Sequence, residues 1–296
     1  MLLWQALLLG VIQGVSELFP ISSLAQTILL PALLGWQINQ EGSDFLSFVV
    51  ALHLATAVAL LIYFWKDWRE VIQAYLGSLK RGKLVYDDKS KFAWLLVAGT
   101  VVVGAIGLVL EKKLRHFFDD PAFTWIVAII LIVNGGVMFL GDFLKRQASK
   151  QGGVDTDDPA AMAPPQRKQA FELSFIEGTW VGATQALALL PGISRSGVTI
   201  VAGLLAGLSY EEASRFSFML ATPVIGLAAL LKVPTLLKPE ARHELALTVP
   251  SAILAGITAY LSVKFLMRYF KHNRLSPFAY YCIFFGTAAL ILLKMR

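Results

Sequence analysis

The sequence predicts an all-α polytopic membrane protein with an inverted-topology repeat, each half a re-entrant helical hairpin plus three transmembrane helices. Three observations predict it. The chain has 296 residues, 56% of them hydrophobic, and a mean hydropathy of +0.64, too apolar for a soluble globular domain. Several long runs carry no Asp, Glu, Lys or Arg. A short polar motif near the start returns in altered form past the middle of the chain.

The first half, 1–144, opens with a hairpin over about 1–35. Its apolar arms, Trp4–Leu18 and Ile21–Leu34, are shorter than the ~20 residues that cross a bilayer as a helix. Where they meet stand Glu17, Pro20, Ser22 and Ser23, a polar break of the kind tolerated at membrane depth only when buried in protein or lining a wet cavity. Three spans follow, at about 46–65, 92–110 and 121–141. The stretch Lys145–Gln169 is rich in Gly, Pro and charge and reads as a flexible linker within 145–171. The second half, 172–296, repeats the order: a hairpin over about 173–208, then spans at about 212–231, 245–265 and 275–293.

The repeat can be aligned. Gly10–Ile28 laid over Gly182–Ile200 gives identities at Gly10/Gly182, Gln13/Gln185, Leu18/Leu190, Ile21/Ile193, Ser22/Ser194, Thr27/Thr199 and Ile28/Ile200. An odd number of spans separates the two hairpins, so the second enters from the opposite face, and the two polar breaks meet near the midplane. The net charge of +6 reads as positive-inside bias rather than as a nucleic-acid surface. Lys and Arg cluster in Lys66–Lys91, Lys145–Lys168 and Lys264–Arg274, which places those stretches in the cytoplasm. The loops 111–120 and 232–244 and both termini then lie outside. A single cysteine, Cys282, allows no disulfide within the chain and no zinc site. The N-terminus lacks a basic region and is not read as a cleaved signal peptide.

Glu17 is an ionisable group within a membrane segment, which is a functional candidate by default, and Gln13 lies one turn earlier on the same face. In the second copy Arg195 sits between Ser194 and Ser196, and its guanidinium suits bidentate binding of phosphate oxygens. Ser22, Ser23, Ser194 and Ser196 stand where half-helices begin, as caps beside N-termini that favour anions. A hydroxyl nucleophile, an Arg clamp and an acid are the parts of a phosphoryl hydrolase. They are equally the parts of an anion-binding transporter, and spacing does not choose between them.

At these residues the chain resembles the undecaprenyl-diphosphate phosphatase family, the bacitracin-resistance membrane phosphatases. The first family motif appears as "QGVSE" (Gln13–Glu17) with "PISSLAQ" (Pro20–Gln26), and the second as "PGISRSGVT" (Pro191–Thr199). The resemblance also takes in "FSFMLATP" at Phe216–Pro223. It implies hydrolysis of a C55 polyprenyl diphosphate to the monophosphate and phosphate, recycling the cell-wall lipid carrier and conferring bacitracin resistance. It implies a divalent metal, Mg2+ or Ca2+, and a plasma-membrane location with the site open to the outer face. By position, Ser23 is the nucleophile with Ser22 beside it, and Glu17 binds metal or assists proton transfer. Arg195 clamps the diphosphate. Gln13, Gln26, Gly192, Ser194, Ser196, Gly197 and Thr199 contact substrate. The alternative is non-hydrolytic binding or translocation of a polyprenyl phosphate. Oligomeric state is left open, with a homodimer as one arrangement to test.

One departure stands out. The family motif ends in Gly-His, whereas this chain has Ala25-Gln26, and Gln26 cannot act as a base near neutral pH. Glu17, a water activated by metal, or His53 in the apolar span is the expected replacement. His116, His243 and His272 fall in loops or near helix ends and are poor candidates.

Overall fold

The computed structural model describes residues 1–38, 43–118, 123–151, 168–236 and 245–295. Among them the chain is helical, with no strand beyond one isolated bridge between Lys168 and Leu208. Eleven helices are described: α1 Leu3–Ser16, α2 Ser23–Leu34, α3 Ser43–Tyr63, α4 Trp65–Arg81, α5 Asp88–Phe118, α6 Thr124–Gln151, α7 Phe175–Ala183, α8 Arg195–Leu205, α9 Tyr210–Leu236, α10 Leu245–Tyr269 and α11 Ser276–Lys294. Six of these (α3, α5, α6, α9, α10 and α11) are long and apolar enough to cross a bilayer. The chain is a multi-pass membrane protein.

Local sequence sets the breaks. Helix α2 stops at Gly35, whose φ of 66° is open to glycine at little cost. Helix α7 begins at Ser174, whose hydroxyl accepts from Glu177 N while Glu177 returns a bond to Ser174 N, a reciprocal cap. After Ala183 the chain tightens into a 3-10 segment, Thr184–Leu189, so the first arm of the second hairpin is not one continuous α-helix.

Packing between helices uses small residues, as expected where lipid removes the hydrophobic drive for association. Gly10 and Gly14 of α1 lie against α10: a Cβ on Gly14 would sit 2.0 Å from Thr258 Oγ1 and 2.3 Å from Ala255 O. Gly135 of α6 lies against Ala279 and Cys282 of α11, and Gly286 of α11 against Ala128 and Ile132 of α6. Further pairings join α3 to α9 and α10, α5 to α7, and α6 to α8.

Two segments differ from expectation. Lys66–Lys91, expected as a basic loop, holds helix α4, which buries Val71, Ala74 and Ser78 and packs on α5. Its apolar residues run along one side only, so no charge-free run betrays it. Helix α6 also continues to Gln151, past the start of the expected linker. The rest of that linker, 152–167, and parts of the loops 111–120 and 232–244 lie outside the described residues, as does His243; the side chain of His116 is likewise not described. His272 ends in the turn after α10, an exposed position.

Gly14→Leu is expected to force α1 from α10 and to lower the apparent melting temperature in detergent, as overpacking costs about 1–3 kcal/mol. Gly104→Leu, at a site where a Cβ meets nothing within 4 Å, is the control and should melt like the natural sequence.

Candidate active site

The polar centre forms where the turn between α1 and α2 meets the turn that precedes α8. Ser22 is the N-cap of α2, with φ at 61° and its Oγ accepting from Ala25 N at 3.4 Å. Ser194 is the N-cap of α8, its Oγ accepting from Gly197 N at 3.2 Å. These serines are partners in the sequence repeat, and each opens the second arm of its hairpin. The tips join directly: Gly192 N donates to Ser22 Oγ at 3.2 Å. Gly192 adopts φ of 114° and lies so close to Ile130 and Leu131 that a Cβ would clash, so glycine is required twice over. Gly197 abuts Pro20, 3.3 Å from a Cβ placed on it.

Glu17 is the hub. It follows α1 directly and is 8% exposed. Its Oε2 accepts from Ser23 Oγ at 2.6 Å and from Gln13 Nε2 at 2.9 Å. Its Oε1 accepts from Arg195 Nη2 at 2.8 Å. His53 Nε2 stands 3.4 Å from Oε2, and His53 Nδ1 lies 2.8 Å from Val49 O, to which it donates because a carbonyl only accepts. A buried carboxylate alone is costly; here the Arg195 guanidinium from α8 compensates it and the His53 ring from α3 lies alongside. The other arm of the guanidinium is unused: Arg195 Nη1 is buried and has no hydrogen-bond partner among the described residues.

The predicted residues separate into two sets. Gln13, Glu17, Ser23 and Arg195 converge on one carboxylate. Ser22, Gly192, Ser194 and Gly197 build the turns, Ser194 Oγ lies 3.1 Å from Ser196 Oγ, and Thr199 Oγ1 donates back to Arg195 O at 2.7 Å. Gln26 goes elsewhere. Its Oε1 accepts from Tyr281 OH at 3.0 Å and its Nε2 donates to Ile21 O at 3.1 Å, tying α2 to α11 rather than meeting Glu17. His53 occupies the place beside the carboxylate instead. Sequence reasoning missed Asn134 of α6, fully buried, which bonds both turns; its one signal was a polar residue inside an apolar span.

A divalent cation, which the family resemblance implies, finds a single carboxylate here. Among the described residues no group of three or more His, Cys, Asp and Glu can hold a metal. Any cation bound at Glu17 would have to share a carboxylate already bonded to Ser23, Gln13 and Arg195, and would take the rest of its shell from phosphate oxygens and water.

Sequence comparison supplies counterparts for this multi-helix membrane protein whose carboxylate, hydroxyl and half-free guanidinium meet at two helix breaks. The profile of the family "Bacitracin resistance protein BacA" matches residues 6–288. The chain belongs to this family, whose members are bacterial membrane proteins. It is 44% identical over 291 residues to "Undecaprenyl-diphosphatase 2" of Chromobacterium violaceum, covering 97% of each chain. It is 40% identical over 305 residues to "Undecaprenyl-diphosphatase" of Mycolicibacterium paratuberculosis, covering 99% of this chain and 97% of that one. It is also 40% identical over 337 residues to "Undecaprenyl-diphosphatase 2" of Frankia alni, covering 97% and 96%.

Glu17→Gln or Arg195→Met alone strands a buried charge, a loss of about 3–5 kcal/mol when one partner of such a pair is removed. Each single variant should melt below the natural protein in detergent. The double variant should recover most of the difference.

Proposed function

We propose that this chain hydrolyses undecaprenyl diphosphate to the monophosphate and inorganic phosphate, recycling the lipid carrier of the cell wall and thereby conferring bacitracin resistance. The single observation that carries the reading is Arg195 Nη1. A buried guanidinium nitrogen without an acceptor among the described residues, on the same carboxylate as a bonded serine, suits a phosphate oxygen. The relatives' printed activity agrees with it.

Ser23 Oγ is the nucleophile. Its proton already lies along a hydrogen bond to Glu17 Oε2, so as Oγ bonds to the terminal phosphorus the proton passes to that oxygen. The bond from this phosphorus to the bridging oxygen breaks, and the lipid leaves as its monophosphate. Water then cleaves the phosphoserine, releasing inorganic phosphate and restoring the hydroxyl. Arg195 takes the phosphate oxygens through Nη1 while Nη2 keeps Glu17 in place. His53, whose Nε2 faces Oε2, is the chain's own group for exchanging protons near neutral pH, a task closed to Gln26. Ser22 and Ser194 cap the N-termini of α2 and α8, whose positive dipole ends favour the anion, and Ser196, Gly192 and Gly197 shape the turns around them. Glu17, supported by Gln13, would hold Mg2+ or Ca2+, which supplies positive charge against the diphosphate when bound.

The finer architecture belongs to the same proposal. The halves 1–144 and 172–296 form an inverted repeat, with α1–α2 and α7–α8 as re-entrant hairpins and the linker 145–171 cytoplasmic. The packing supports it: α1 on α10 has its counterpart in α7 on α5, α2 on α11 in α8 on α6, and α3–α9 and α6–α11 pair with themselves. The site opens to the outer face of the plasma membrane, following from the basic stretches assigned to the cytoplasm.

The test is phosphate release from C55 polyprenyl diphosphate by purified protein in detergent. Release is expected, to be lost on chelation of divalent cations, and to fall at least about 100-fold in Ser23→Ala and Arg195→Ala, the scale of losing a nucleophile or a charge-stabilising donor. Stimulated lipid flipping without release would replace this reading by translocation. A second assay separates the two candidate proton carriers. His53→Ala should lower release by about tenfold or more, whereas Gln26→His should leave it within the same order of magnitude. Release that appears only in Gln26→His would mean a site that is built but disarmed.

A further inference from the structure

We infer that Asn134 is the positioning residue that sets the spacing between the Glu17–Ser23 half of the site and the Arg195 half. Asn134 is fully buried in the middle of α6, between the two hairpin tips. Its Nδ2 donates to Pro20 O at 3.2 Å, and its Oδ1 accepts from Ser194 N at 2.9 Å. The partners dictate the orientation of the amide, because a carbonyl only accepts and a backbone N–H only donates. Nδ2 also reaches Cys282 Sγ at 3.4 Å, which anchors the amide to α11.

The two gripped atoms are well chosen. Pro20 lies midway between Glu17 and Ser23, so its carbonyl marks the centre of the first turn. Ser194 caps α8 and directly precedes Arg195. One rigid amide therefore links the turn that carries carboxylate and nucleophile to the cap that carries the clamp. Apart from the Arg195–Glu17 pair itself, whose spacing is the thing being set, the turns share the bond from Gly192 N to Ser22 Oγ, which holds their edges but can pivot about one bond. Two ties at separate points make a hinge into a fixed angle. Asn134 touches no reacting atom; it acts through Ser194 and Pro20.

This inference rests on the phosphatase reading for its rate arm and has a second arm that does not. Asn134→Ala and Asn134→Leu, the latter restoring volume without hydrogen bonds, are assayed for phosphate release, size-exclusion profile and melting in detergent. Both are expected to elute as the natural protein and to lose about 10- to 100-fold in kcat, the scale of a misplacement near 1 Å, with KM changed less than kcat. In an Arg195→Lys background the added Asn134→Ala should cost little more, because the clamp it positions is already impaired. In the second arm, inorganic diphosphate should raise the melting temperature of the natural protein and not that of either Asn134 variant. Unchanged kcat, losses that multiply across the Asn134→Ala, Arg195→Lys pair, equal stabilisation of variant and natural protein by diphosphate, or failure of both variants to fold would overturn it. Absence of release from the natural sequence would instead refute the phosphatase reading, and the diphosphate arm would then judge Asn134 alone.

Discussion

The bond between Arg195 Nη2 and Glu17 Oε1 is the contact on which the other features of the site depend. It joins residues 178 positions apart, one from each hairpin, across a region where neither charge is stable alone. The ion pair lets two broken helices end inside an apolar protein. Around it the polar groups are satisfied in order: Ser23 and Gln13 on one oxygen, Arg195 on the other, His53 alongside. At this centre Arg195 Nη1 has no acceptor among the described residues, and the proposed phosphate would supply one.

Holding the pair in place requires backbone that most residues resist. Ser22 takes a positive φ, a conformation that costs a non-glycine residue on the order of 1–3 kcal/mol. Its hydroxyl offsets that cost by capping α2 and accepting from Gly192 across the tips, which a glycine there could not do. Gly192, by contrast, has no room for a side chain against α6. The two copies of the motif thus solve one turn differently. The first keeps a strained serine for its oxygen; the second keeps a glycine for its lack of a Cβ.

The spans were legible because a charge-free run of about 20 residues has few other uses. Helix α4 was not, since its apolar residues alternate with Lys66, Arg69, Glu70 and Lys80 and disclose themselves only on a helical wheel. Within the site, Glu17, Ser23 and Arg195 could be brought together on paper because the repeat aligns Ser23 with Arg195 and puts both at the start of a half-helix. The place of Gln26 in the motif makes it an expected contact of the substrate. Its actual partner, Tyr281, lies 255 residues away, and no local pattern points to such a bond. His53 was one of several replacements for the missing histidine until the fold set it against Glu17. Asn134 stayed hidden for the same reason as Tyr281: one polar residue in a span announces that it has partners and does not say which.

The central claim is that one diphosphate is gripped by residues of both hairpins. A structure of the protein in a lipid nanodisc with a non-hydrolysable bisphosphonate analogue of the polyprenyl diphosphate tests it most directly. The terminal phosphorus is expected at about 3–3.5 Å from Ser23 Oγ, the spacing of a near-attack geometry, with a phosphate oxygen on Arg195 Nη1. A headgroup bound away from the joined tips, or bound there with Arg195 turned wholly toward Glu17, would contradict it.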